Sequence, residues 1–137
     1  MILGAWIEPD GRIGWCWAPP TGWWCRPTLG LLPIGGVGAL AGVLAGWILD
    51  EYSTRPDRIV AGGATTGIDR VAEWWNRPQT RWIVATGEDA RTGLTALRYD
   101  ADELAEATRA ALARLDGVED SPAALAAGLA WWMRITE

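Results

Sequence analysis

Three short strand-like segments separated by turns open the chain, and this pattern limits the folds that the N-terminal part can form. Residues 2–7 and 12–18 are rich in apolar and aromatic side chains and predict the first two strands. Pro9-Asp10-Gly11, between them, has the residue types of a tight turn, with Gly at a position that needs a positive φ. A second turn over residues 19–22 leads into Trp23-Trp24-Cys25-Arg26, a predicted third strand. The segment therefore predicts an antiparallel meander.

Helical and strand-like segments alternate after the meander. Apolar residues recur at helical spacing from Pro33 to near Tyr52, and short apolar runs at residues 58–62 and 81–86 predict buried strands. The other predicted elements are a short helix capped by Thr66, an edge strand over residues 94–99, a helix capped by Asp100 with Glu103, and a final helix that starts at Ser121-Pro122. The order predicts an α/β fold, with three antiparallel strands followed by alternating helices and parallel strands, in a single domain over residues 1–137.

The charged residues exclude several kinds of chemistry. All 12 basic residues are Arg and the chain has no His, so it has neither a Ser-His or Cys-His nucleophile pair nor a His metal ligand. Carboxylates, Arg, hydroxyls and two thiols remain. The formal net charge is -5, whereas nucleic-acid-binding proteins are usually basic. Binding of nucleic acid would therefore require a local Arg patch, metal ions or a basic partner.

One segment is long enough to span a bilayer and carries no charge. Residues 27–49 are 23 uncharged residues in succession, and Asp50 and Glu51 follow at once. Because a spanning helix needs about 20 apolar residues, a small membrane protein is one hypothesis. The segment also contains Pro33 and six Gly, which favours a buried helix in a protein that does not enter the membrane. No signal peptide is visible at Met1, so we expect a cytoplasmic location.

Three glycines recur every four residues within the predicted helix of that segment. Gly38, Gly42 and Gly46 would form a ridge without side chains along one helix face. Such a ridge allows another backbone to approach closely, either the sheet of the same chain or a symmetry mate. We expect a homo-oligomer formed through this face.

Short motifs in three parts of the chain resemble one family of nucleases. Asp120-Ser121-Pro122-Ala123-Ala124-Leu125-Ala126 resembles the last-helix motif of RuvC-type Holliday-junction resolvases, Asp-Ala-Ala-Asp-Ala-Leu-Ala. Residues 55–62 resemble the helix-to-strand passage of these resolvases and of the related YqgF-type nucleases. Glu8-Pro9, followed by Ile13-Gly14-Trp15, resembles their first hairpin. The order of predicted elements is also that of the RNase H-like fold, which this family shares.

The resemblance implies a Mg²⁺-dependent endonuclease with clustered carboxylates. Such enzymes hold two Mg²⁺ ions about 4 Å apart, one activating water and the other stabilising the leaving oxygen. Positions of that cluster are matched by Glu8, by one of Glu88 and Asp89, and by Asp120. The resemblance implies that Glu8 and Asp120 are metal ligands. An alternative alignment of the first strand places Trp6 at the first acidic position.

Two further acidic positions of the family are missing, so an inactive member of the fold is equally consistent with the resemblance. The resolvase Glu of the fourth strand falls on Gly62, and the second Asp of the last-helix motif falls on Ala123. Glu8 could also simply flank a turn, and Asp120 could simply favour the dipole of the helix that follows it.

Trp and Cys residues in the meander give a second set of expectations. A four-residue loop over residues 19–22 would pair Cys16 with Cys25 across the hairpin, as neighbouring free thiols. Trp17, Trp24 and Arg26 would then share the opposite face and could stack on nucleic-acid bases. The alternative is that most of the 11 Trp residues fill the core, since the chain has no Phe.

Three functions therefore compete at the level of sequence. The first is a structure-selective nuclease that acts on branched DNA or RNA, and the second is a catalytically inactive RNase H-like module with an assembly role in a larger complex. The third is a small membrane protein, which rests on residues 27–49 alone.

Overall fold

A computed structural model of the chain describes residues 1–18, 28–49, 56–75, 79–87, 93–115 and 121–136. Within these ranges the strands are β1 (Ile2–Ile7), β2 (Ile13–Ala18), β3 (Thr28–Leu32), β4 (Arg58–Gly63), β5 (Arg81–Thr86) and β6 (Thr95–Arg98). The helices are α1 (Val37–Leu49), α2 (Ile68–Trp74), α3 (Ala101–Leu112) and α4 (Pro122–Thr136).

The six strands form one mixed sheet in the order β3-β2-β1-β4-β5-β6. β2 is antiparallel to both β1 and β3, whereas β4 is parallel to β1, β5 to β4, and β6 to β5. The α/β class predicted from the sequence is therefore confirmed. The parallel pairing of β1 with β4 requires the chain to cross back over the sheet, and α1 lies on that connection.

The helices cover both faces of the sheet. One core cluster joins α1 and α2 to strand residues such as Leu3, Ile59 and Val84. The other joins α3 and α4 to strand residues such as Ile2, Val60 and Ile83. Because successive side chains of a strand point to opposite faces, neighbouring residues of β1, β4 and β5 enter different clusters. This explains why the central strands are apolar throughout rather than alternating.

Small residues let α4 lie directly on the sheet. Eleven of its residues are buried, and six of these are Ala or Gly, which lets the helix backbone approach the sheet closely. A Cβ atom on Gly4 would overlap the carbonyl oxygen of Ala126, and one on Gly14 would overlap the backbone of Pro122. The two glycines are thus required where α4 crosses β1 and β2.

The third strand differs from the sequence prediction. β3 spans Thr28–Leu32, and the residue opposite Cys16 is Leu29, whereas the predicted strand over residues 23–26 lies outside the described residues. The predicted four-residue loop and the pairing of Cys16 with Cys25 are therefore wrong, because the connection between β2 and β3 is longer. Cys25 itself lies outside the described residues, and Cys16 is a buried free thiol.

Two of the three predicted helix caps are present. The Asp100 side chain accepts a hydrogen bond from the Asp102 amide at 2.8 Å, and the Ser121 hydroxyl accepts one from the Ala124 amide at 3.4 Å. The predicted Thr66 cap is wrong, because α2 begins after Gly67, whose φ of 89° is left-handed and which makes no side-chain cap.

The uncharged segment is divided between two elements. Its described part forms β3 and, after a turn, the 13-residue α1. None of the helices in the described ranges is long and apolar enough to cross a bilayer.

Candidate functional site

The carboxyl ends of the parallel strands meet at one edge of the sheet, which we call the carboxyl edge. Ile7, the last residue of β1, pairs with Gly63 at the end of β4, and the Ala64 amide donates a hydrogen bond to the Ile7 carbonyl at 2.8 Å. β5 continues the parallel order and ends at Thr86. Loops that follow parallel strands at such an edge are common positions for binding sites in α/β proteins.

Two helices begin at the carboxyl edge. Pro122, the first residue of α4, lies against Gly14, which pairs with Trp6 near the end of β1. The Gly36 amide, just before α1, donates to the carbonyl of Gly11 at 2.8 Å, and Gly11 belongs to the turn that follows β1. The edge therefore brings together the β1–β2 turn, the ends of β4 and β5, and the start of α4.

Glu8 is the described residue of the predicted acidic cluster, and it lies at the carboxyl edge. Its amide donates to the Arg12 carbonyl at 2.8 Å and its carbonyl accepts from the Gly11 amide at 3.0 Å, so its backbone does flank the β1–β2 turn. Gly11 has a φ of 95°, as the turn sequence predicts. The side chain is half-buried, and among the described residues no hydrogen bond or ion pair engages its carboxylate. The turn thus fixes the backbone of Glu8 and leaves the carboxylate available.

A second carboxylate in the same turn was not singled out from the sequence. Asp10 accepts a hydrogen bond from the Arg12 amide at 3.1 Å and pairs with the Arg12 side-chain Nε at 2.9 Å. The hydrogen bond from the Arg12 backbone, followed by that from its side chain, lowers the pKa of Asp10. The sequence signal for this ion pair was the spacing of two residues between an acidic and a basic residue in a turn. Because Asp10 already has a cationic partner, it is a poorer metal ligand than Glu8.

The other predicted acids lie outside the described residues. Glu88 and Asp89 come directly after Gly87, which follows β5 at the carboxyl edge, and Asp120 directly precedes Ser121. Within the described ranges there is no group of three or more Cys, Asp or Glu side chains that could hold a metal ion. The described part of the chain therefore supplies one carboxylate of the proposed cluster.

The centre of the sheet at this edge is apolar. Trp6 pairs with Gly62, and a Cβ atom on Gly62 would lie 3.0 Å from the Trp6 ring and 3.0 Å from a methyl group of Leu129. The family resemblance placed the first acidic residue at Trp6 under the alternative alignment of the first strand, and the resolvase Glu of the fourth strand at Gly62. Since an indole ring fills this space, any acidic site must lie farther out, at the level of Glu8.

Trp17, the one residue of the predicted stacking surface that lies among the described residues, is not exposed as predicted. Trp17 is only 5% exposed and belongs to the cluster under α1, so its ring is not available to a base. The sequence prediction placed this face in solvent, but α1 covers it. Trp24 and Arg26 lie outside the described residues.

The glycine ridge does not contact the sheet. Gly38 and Gly42 are exposed, and a Cβ atom on either would meet no other atom within 4 Å. The expectation of close packing against another backbone of the same chain is therefore wrong for these two residues. Gly46 lies outside the residues whose surroundings the structure describes.

Comparison of the chain with protein-family models, with curated proteins and with solved structures gave no match. The assignment of a function therefore depends on the strand order and on the residues at the carboxyl edge.

Proposed function

We propose that the chain is an RNase H-like domain of the RuvC and YqgF branch that processes nucleic acid as a metal-dependent, structure-selective endonuclease. The observation that carries this proposal is the strand order, with the antiparallel β3-β2-β1 followed by the parallel β4 and β5. This is the order that the motif resemblance implies. Described residues adjacent to the three acidic segments of the sequence also lie at one edge of the sheet.

The proposed metal ligands are Glu8, one of Glu88 and Asp89, and Asp120. Glu88 and Asp89 follow Gly87 within two residues in the sequence, and Asp120 directly precedes Ser121. Gly87 and Ser121 are described residues at the carboxyl edge. Carboxylate oxygens are the ligands that Mg²⁺ prefers. The half-buried Glu8 carboxylate, with no partner among the described residues, fits this role.

Metal ions would also account for how an acidic chain could bind phosphates. The net charge of -5 disfavours direct contact with a nucleic-acid backbone. Glu8, one of Glu88 and Asp89, and Asp120 would hold Mg²⁺, which would offset the negative charge of these carboxylates and supply activation of water for phosphodiester hydrolysis. Branched DNA and RNA are the proposed substrates.

A specific observation favours a second candidate, a catalytically inactive module with an assembly role. The central positions of the carboxyl edge hold Trp6 and Gly62, and Ala123 packs with its backbone against Gly14. Packing contacts therefore involve Gly62 and Ala123, the two positions at which the family's acidic residues are missing from this sequence.

A cleavage assay separates the two candidates. The protein is incubated with four-way junction, duplex DNA and RNA in Mg²⁺, Mn²⁺ or EDTA. We expect metal-dependent cleavage of at least one substrate, its loss in Glu8→Gln, and its retention in Glu73→Gln, which changes an exposed carboxylate on α2. Binding of the substrates without cleavage would favour the inactive module.

A further inference from the structure

A groove of about 440 Å³ lies between α3 and α4. Ala107, Ala110, Trp131 and Ile135 form its apolar lining, and Glu103 and Glu106 lie at its acidic side. Ile135 is 61% exposed, so it presents an apolar side chain to solvent beside the groove. Neither the fold nor the proposed metal site requires these features.

Acidic and basic side chains follow one another along α3 beside this groove. Glu103, Glu106, Ala110 and Arg114 follow one another at spacings of three and four residues, so they form one stripe along α3 and its C-terminal turn. The stripe is acidic near the N-terminus of α3, at Glu103 and Glu106, and basic after its C-terminus, at Arg114. Arg134 of α4 adds a second positive charge beside Arg114.

The two guanidinium groups are held in place by one indole ring. Their central carbons lie 4.2 Å (Arg114) and 4.5 Å (Arg134) from the centre of the Trp131 ring. Arg114 also donates from Nη1 to the Ala110 carbonyl at 2.9 Å. Within the described part of the chain none of the four charged side chains forms an ion pair. A fixed positive pair and a negative pair therefore flank an apolar strip, and each lacks a described partner of opposite charge.

We propose that this groove is an interface with a second copy of the chain, related by a two-fold axis that crosses the stripe near Ala110. In such an isologous contact the same surface is used twice, so α3 packs antiparallel to its copy. Glu103 and Glu106 of one protomer then face the Arg114 and Arg134 end of the other, and the reverse contact repeats. The acid-apolar-base order of the stripe is complementary to itself only in this antiparallel arrangement.

The apolar part of the groove supplies the binding energy and the charges supply the orientation. Exposed ion pairs contribute little on their own, whereas a central apolar cluster that excludes water stabilises an interface. Ile135 supplies exposed apolar surface for this contact, and a parallel arrangement of the two copies would bring like charges together. This interface does not depend on the proposed nuclease activity, and it lies on a face other than the Gly38 and Gly42 ridge.

Charge reversal tests the proposed interface directly. One variant carries Glu103→Arg and Glu106→Arg, and the other carries Arg114→Glu and Arg134→Glu. In sedimentation equilibrium we expect the wild-type chain to dimerise and each double variant to dissociate, with Kd raised by about tenfold or more. An equimolar mixture of the two variants should form a heterodimer, because both contacts then join opposite charges again.

Control variants distinguish this interface from a contact through a different face of the molecule. Ile135→Ser leaves all four charges in place and should also weaken the dimer, whereas Arg109→Glu, an exposed change on α3 outside the stripe, should not. The proposal is overturned by a monomeric wild-type chain, by double variants that dimerise like the wild type, or by a mixture that fails to associate. A dimer that is lost in Gly42→Leu but kept in the charge variants would place the interface on the glycine ridge instead.

Discussion

The backbone of Pro122 lies directly against the α-carbon of Gly14, with no room between them for a side chain. This contact joins the start of α4 to β2 beside the end of β1. It fixes how closely the first turn of α4 approaches the sheet at the carboxyl edge. The position of the last helix therefore depends on a glycine in the second strand.

Gly14→Ala should destabilise the protein by about 1–3 kcal/mol, because the new methyl group would force the helix away from the sheet. Urea unfolding followed by circular dichroism measures this change. A midpoint equal to that of the wild type would mean that α4 does not lie where the structure places it.

Gly42→Ala should have the opposite effect. Gly42 is exposed in the middle of α1 and a Cβ atom there meets no neighbour, so the gain in helix propensity of about 0.5–1 kcal/mol is not offset by a clash. The same unfolding measurement applies. A loss of stability that grows with protein concentration would instead show that another molecule covers the glycine ridge.

Two of the three helix starts that were predicted from side-chain caps should respond differently to substitution. Asp100→Ala removes the acceptor for the Asp102 amide and should cost about 1 kcal/mol. Thr66→Ala should change stability by less than about 0.5 kcal/mol, because Gly67 rather than Thr66 begins α2. Equal losses for the two variants would contradict the assigned caps.

The Cys16 thiol should be unreactive in the folded protein. It is fully buried among residues of the α4 cluster, and burial raises its pKa to about 12, so the reactive thiolate is absent at neutral pH. The measurement is the rate of modification by a chromogenic disulfide reagent in the Cys25→Ser variant, where Cys16 is the remaining thiol. Modification should follow unfolding in urea, and rapid modification without denaturant would contradict the burial of Cys16.

Elements marked by strong local signals were predicted well from the sequence. The structure has β5 over the predicted residues 81–86, and Asp100 and Ser121 cap α3 and α4 as their sequence patterns indicate. In each case an apolar run or a capping residue acts within one element. The alternation of strands and helices therefore sufficed for the α/β class.

Features that depend on contacts between distant elements were predicted less well. Trp23-Trp24-Cys25-Arg26 has the composition of a strand, but the strand that pairs with β2 begins at Thr28. A hairpin register depends on loop length, and local composition does not determine it. The burial of Trp17 likewise depends on where α1 packs, and the sequence of the meander does not determine that.

The acidic site was predictable only in part. The sequence indicated correctly that Glu8 would directly follow the first strand and flank the turn, and the strand order brings the end of that strand close to Gly63 and to the start of α4. The engagement of Asp10 by Arg12 was not foreseen, since it depends on the side-chain geometry of the turn.

Binding of Mn²⁺ measured by electron paramagnetic resonance tests the proposed acidic site most directly, because it needs neither a substrate nor turnover. We expect saturable binding to the wild-type chain, weakened by about tenfold or more in Glu8→Gln and in Asp120→Asn, with unchanged melting temperatures. Glu73→Gln, on α2, should bind like the wild type. Absence of saturable binding, or equal binding by the wild type and both edge variants, would contradict a metal site at the carboxyl edge.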